Sequence, residues 1–81
     1  MKQALIERVD PIEIYERDGG LCWICGEYVD LLLPATDKMS FNLDHIWPLA
    51  LGGTHERHNL GTSHRLCNQR KGVRTSLPAA A

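Results

Sequence analysis

Two short pairs of metal-binding side chains constrain this chain more than any other feature. Cys22-Trp23-Ile24-Cys25 and His64-Arg65-Leu66-Cys67 each hold two donors at the same spacing, with 38 residues between the pairs. A two-residue gap lets both side chains turn towards one ion while backbone amides approach the sulfurs. Four such donors satisfy a closed tetrahedral zinc site, which is structural because a catalytic zinc keeps an open position. An ion held this way ties the front of the chain to its last helix and restricts the unfolded state. The other readings are that Cys22 and Cys25 are reduced core thiols or a redox pair, and that His64, the softest of the four, lies on the surface.

The staple matters because the chain has 81 residues. That length allows one domain with a modest core, which needs a disulfide, a metal or a partner to be stable. An apolar fraction of 43% fits a folded globule. The three cysteines are an odd number, which argues against a disulfide framework and for metal ligation. No stretch approaches the roughly 18 consecutive apolar residues of a membrane span, and the first eight residues make a poor signal peptide. A cytoplasmic protein with no membrane association is expected.

The local signals order the chain as a small α+β domain. Asp10-Pro11-Ile12-Glu13 starts a helix, with Asp10 as cap, Pro11 in the first turn and Glu13 as capping-box partner. Asp18-Gly19-Gly20 ends it. Residues 1–9 are a weaker second helix. Glu27 to Leu33 is expected to hold a short strand. Phe41 to His45 alternates apolar and polar residues as a half-buried strand does, and Asn59 to Ser63 is expected to pair as a second. Pro48 and Gly52-Gly53 punctuate the long turn between them. Arg65 to Lys71 reads as a helix closed by Gly72. The whole chain, 1–81, is taken as one domain with its core at about 10–74 and a loose tail over 75–81.

Charge is distributed unevenly. Residues 1–56 carry four basic and ten acidic side chains, whereas residues 57–81 carry five basic and none acidic. The basic end can meet phosphate although the whole chain has a net charge of −1.

The chemistry concentrates between the two metal pairs and just after them. The segments are Asp44-His45-Ile46-Trp47-Pro48-Leu49, Gly52-Gly53-Thr54-His55, His58-Asn59-Leu60 and His64-x-x-Cys67-Asn68-x-x-Lys71-Gly72. In this order, led by Arg17-Asp18-Gly19-Gly20-Leu21-Cys22, they resemble the HNH endonuclease family, and more closely its zinc-containing bacterial and phage members. The resemblance runs from about Tyr15 to Gly72. Any one piece is weak, but the ordered set is specific.

The resemblance implies a ββα-metal (His-Me finger) fold, with two antiparallel strands and a helix around a divalent cation. It also implies hydrolysis of DNA to 5′-phosphate and 3′-hydroxyl ends. By position, His45 is the general base, Asp44 a cation ligand, Asn59 the residue that supports the loop and orients the base, and Asn68 the third letter of the motif. Many members have histidine at that third position, so this is an H-N-N variant. An amide oxygen suits a hard cation, hence Mg²⁺ or Mn²⁺ held by Asp44 and Asn68. Association with phage packaging or other DNA-processing proteins is compatible with the resemblance.

The residue types support the same chemistry on their own account. Phosphodiester hydrolysis needs an activated water and stabilisation of charge on phosphorus and on the leaving oxygen. A neutral imidazole is a suitable base near pH 7, and general base catalysis contributes on the order of 10² to 10⁴-fold. Adjacent residues of a strand face opposite ways, so Asp44 and His45 are expected to take separate roles, with a strand end or bulge redirecting one. Asn68 follows a zinc ligand directly, so the zinc is expected to steady the cation site too. Arg65, Arg70, Lys71 and Arg74 are expected to flank the cleft and meet phosphates, which positions a duplex without reading its sequence. Little sequence preference follows. Trp23 and Trp47 either stack on bases or pack in the core and knuckle. His55 and His58 remain open between a site role and a solvated loop. The rival functions are a non-catalytic zinc module that binds nucleic acid or protein, and a fragment of a larger nuclease.

Overall fold

The computed structural model of the chain describes residues 8–72. Helix α1 spans Pro11–Arg17, strands β1 and β2 span Phe41–His45 and Leu60–His64, and helix α2 spans Arg65–Lys71. Single 3₁₀ turns at Leu49–Leu51 and Arg57–Asn59 interrupt the connection between the strands. This is the small α+β architecture expected. The readings for residues 1–7 and 73–81, including Arg74 and the tail, lie outside the described residues.

Helix α1 begins as its sequence dictates. The Asp10 side chain accepts from the Ile12 amide at 3.0 Å, and Pro11 occupies the first turn, where no amide donor is missed. Glu13 does not complete a capping box. Its carboxylate is taken by Arg57, at 2.7 Å, from the turn before β2, and hydrogen bonding to that guanidinium lowers its pKa. A tertiary charge partner has displaced the local one.

β1 and β2 are antiparallel in regular register, Phe41 opposite His64 and His45 opposite Leu60. All five residues of β2 are buried, whereas only Asp44 is buried in β1. β2 is therefore the centre of the molecule, with α1 packed against it and α2 against both strands. The fully buried apolar side chains among the described residues are few: Ile14, Cys22, Val29 and Leu60. Polar ties supplement so small a core. Arg17 donates to the carbonyls of Arg57 at 2.8 Å and Leu60 at 2.6 Å, while Asp18 accepts from the Thr62 amide at 2.9 Å. These two charged residues clamp the end of α1 to β2.

Two boundaries differ from the sequence expectation. β2 starts at Leu60, because Asn59 closes a 3₁₀ turn and spends its side chain on the loop before it. The segment 27–33 forms no strand. It contributes one isolated bridge, Leu21 with Tyr28, after which Asp30 turns the chain by accepting from the Leu32 amide at 2.9 Å.

Candidate metal and catalytic site

The four expected zinc ligands converge. The donor atoms of Cys22, Cys25, His64 and Cys67 all lie within 4.8 Å of one another. His64 Nδ1 is 3.4 Å from Cys25 Sγ and 3.7 Å from Cys67 Sγ. Zinc bonds of ordinary length in a tetrahedron put nitrogen and sulfur about 3.6 Å apart. His64 is no surface residue. It is the last residue of β2 and is 2% exposed. Its Nε2 lies 2.9 Å from the Tyr28 carbonyl, an acceptor. Nε2 must therefore carry the proton, and the lone pair of Nδ1 is directed at the thiols.

The thiols are tuned by the same convergence. Burial disfavours the Cys22 thiolate, but backbone amides around it outweigh that and bring its pKa down to about 7. Burial, together with the neighbouring Cys25 and Cys22 sulfurs, pushes Cys67 up to about 12. Crowded thiolates of this kind are relieved by one divalent cation among them. The site is zinc-like in ligand set and geometry.

Beside it, a cleft of about 250 Å³ is lined by Asp44, His45, Pro48, Leu49, Asn68 and Lys71, among others. Three of the four expected catalytic residues thus meet in one place. Asp44 and His45 reach it together because His45 is the last residue of β1, at a strand end; the ladder there is regular and contains no bulge. Asp44 is 3% exposed. Its Oδ2 accepts from the Trp23 indole at 2.8 Å, and its Oδ1 lies 3.4 Å from the Lys71 ammonium. The Asn68 amide nitrogen donates to Asn42 Oδ1 at 2.7 Å, so the amide oxygen is the end left for another partner.

His45 Nε2 lies 3.0 Å from His55 Nδ1. Burial, and after it the neighbouring His55, lowers the His45 pKa, with Asp44 opposing and Lys71 assisting. The imidazole is thereby held neutral to lower pH than an ordinary histidine. His55 was one of the residues the sequence left open; its only signal was its place after the Gly52-Gly53 turn. His58 is exposed and 3.7 Å from Glu56, away from that pair.

Asn59 stands behind the cleft rather than in its wall. Its side chain accepts from the Trp47 amide at 2.8 Å and donates to the carbonyls of Trp47 at 3.0 Å and Thr54 at 2.7 Å. The loop that brings His55 to His45 is thus laced at both ends to one buried amide. Gly53 completes the lacing, since a Cβ there would overlap the Trp47 carbonyl oxygen.

The expected phosphate-binding cations differ in how they are placed. Lys71 lines the cleft from within. It is 6% exposed, with its ammonium 3.0 Å from the His45 carbonyl as well as beside Asp44. The last turn of α2 aims it inward, where two acceptors offset its burial. Arg65 spends one guanidinium nitrogen on the Thr36 carbonyl at 3.1 Å. Arg70 is exposed on α2. Trp23 packs over Gly61, as the packing reading expected, and its indole also donates to the candidate cation ligand. Arg17 and Asp18, part of the lead-in pattern, clamp α1 to β2.

The family model described as HNH endonuclease matches residues 22–80. The match takes in both zinc pairs and the whole cleft, and the chain belongs to the HNH endonuclease family. No curated protein and no solved structure gave a match. Among the described residues, no helix is long and apolar enough to cross a membrane.

Proposed function

We propose that this protein is a divalent-metal-dependent DNA endonuclease with a structural zinc, His45 as general base, and Asp44 and Asn68 as ligands of one Mg²⁺ or Mn²⁺. The observation that carries the reading is the single cleft in which an imidazole, a buried carboxylate, an amide and an ammonium meet. The donor set fits a hard cation. The first donor is a buried carboxylate oxygen, Asp44 Oδ1, whose 3.4 Å contact from Lys71 a divalent cation would share or displace, and the second is an amide oxygen. When bound, the divalent ion supplies charge neutralisation at the phosphate and at the leaving oxygen.

The protein's own groups do the rest. His45 takes a proton from the attacking water, whose oxygen adds to phosphorus while the P–O3′ bond breaks and the leaving 3′-oxygen takes up a proton from solvent water. The products are a 5′-phosphate and a 3′-hydroxyl. For this, His45 must carry its resting proton on Nε2 and donate it to His55 Nδ1, which leaves Nδ1 of His45 as the basic nitrogen. His55 therefore holds the ring and its tautomer, and Asn59 holds the loop that carries His55. Lys71, inside the cleft, adds positive charge where the phosphoryl group becomes more negative. Arg65, Arg70 and Arg74 serve the flanking phosphates, and this part of the reading stands on charge alone. Phosphate contacts of this kind position a duplex without reading base edges, so cleavage has little sequence preference.

The test is plasmid cleavage by zinc-loaded wild type and His45→Ala, with Mg²⁺ or Mn²⁺ present or removed by EDTA. Cutting that requires both the added metal and His45 is the expected result. Wild-type-like cutting by the variant would remove His45 as base. A folded, zinc-loaded protein that binds DNA but never cuts it would be a binding module instead.

A further inference from the structure

Trp23 lies between the zinc ligands Cys22 and Cys25, yet its indole reaches the other metal site. Its backbone amide donates to the Thr62 carbonyl at 2.9 Å, which anchors the knuckle on β2. The ring lies over Gly61, where a Cβ would come within 2.7 Å of Trp23 Cδ1, so only glycine leaves it room. Gly61 is the ladder partner of Asp44. Crossing Gly61 therefore delivers the indole N–H to Asp44 Oδ2, at 2.8 Å. The Lys71 ammonium also lies 5.9 Å from the Trp23 ring centroid.

The consequence concerns the two oxygens of one carboxylate. An indole N–H only donates and does not titrate in the working range, so Oδ2 stays occupied by a permanent donor. Oδ1 accepts only the longer contact from the Lys71 ammonium, at 3.4 Å, which a divalent cation would share or displace. We propose that Trp23 is a positioning residue for the catalytic cation: it reserves Oδ2, presents Oδ1 as a single ligand, and makes the zinc knuckle and the cation site one hydrogen-bonded unit. This rests on Asp44 holding the cation, as proposed above. It differs from the sequence expectation, in which Asn68 beside Cys67 was the link. Carboxylate ligands of metals are ordinarily oriented by such donors, and their loss costs about 10 to 100-fold in metal affinity.

The experiment compares zinc-loaded wild type with Trp23→Phe and with 3-benzothienylalanine at position 23, which keeps the bicyclic shape and replaces N–H by sulfur. Mg²⁺ affinity is measured by calorimetry, cleavage is measured as a function of Mg²⁺, and the Trp23 indole ¹H–¹⁵N resonance is followed during the titration. In wild type the indole resonance should shift saturably with Mg²⁺. Both variants should keep zinc, weaken Mg²⁺ binding about 10-fold or more, and recover cleavage at saturating Mg²⁺. Wild-type Mg²⁺ affinity in the benzothienyl protein would overturn the proposal and reduce Trp23 to packing, while leaving the nuclease reading intact. If wild type itself neither binds Mg²⁺ nor shifts the resonance, the cation role of Asp44 fails, and the proposal fails with it.

Discussion

The two candidate metal sites are built on opposite plans. At the zinc-like site, four donors point at a common centre, and the one histidine has its far nitrogen tied to a backbone carbonyl. At the cleft, each polar group is engaged with another side chain: Asp44 with Trp23 and Lys71, His45 with His55, Asn68 with Asn42. The first arrangement is closed around a common centre. The second is a set of side-chain hydrogen bonds around a space that a substrate can enter. A structural site needs saturated coordination, whereas a catalytic one must keep a position open. The lesson is that a small domain can make one site rigid and use that rigidity to hold the other loosely enough to work.

The comparison predicts where damage should fall. The largest effect belongs to the closed site. Cys22→Ser, or a strong zinc chelator, should remove zinc and unfold most of the protein, because apparent zinc binding energies of about 10 to 16 kcal/mol are also folding energies in small domains. Zinc stoichiometry by mass spectrometry and melting by circular dichroism check this. Retention of one zinc and an unchanged melting temperature would dissolve the distinction between the sites.

His45→Ala comes next and should act on the open site alone, cutting cleavage by about 10² to 10⁴-fold with melting little changed. Asn59→Ala should straddle the two classes. It removes a buried amide with three hydrogen bonds, so a stability loss of about 2 to 3 kcal/mol should accompany slower cleavage as the His55 loop loosens. Denaturant unfolding and cleavage rates, measured on one preparation, would show whether the two losses separate.

The smallest effect lies outside both sites, in the clamp. Burial raises the pKa of Asp18, but hydrogen bonds from Arg17 and Thr62 outweigh it and leave the group lowered. A carboxyl lowered in the folded state stabilises above its unfolded pKa of about 3.9. That contribution is lost as the pH falls through the folded value. Asp18→Asn should therefore cost about 1 kcal/mol near neutral pH, and its melting temperature should fall less on acidification than that of the wild type. Equal acid sensitivity of the two proteins would remove Asp18 from the list of stabilising carboxylates.

Much of this molecule was legible before any coordinates. The zinc quartet was, because donors two residues apart carry their geometry in their spacing. The capping of α1 by Asp10, the extent of β1 and the extent of α2 were also legible, since turn chemistry and periodicity act over a few residues. Asp44, His45 and Asn68 could be marked as chemical groups, and the family pattern placed them in one site. Their hydrogen-bond partners could not be read the same way.

Only the tertiary structure decided that Lys71 turns inward onto Asp44, that Trp23 spans from the knuckle to the same carboxylate, that His55 meets His45, and that Glu13 abandons its cap for Arg57. It also replaced an expected strand over Glu27 to Leu33 with a single bridge. The physical reason is range. Composition and spacing encode interactions between near neighbours, whereas the hydrogen bonds from Trp23 and Lys71 to Asp44 cross 21 and 27 positions. Which of several possible partners such a group takes is settled when the strands pair and β2 is buried, not by the residues beside it.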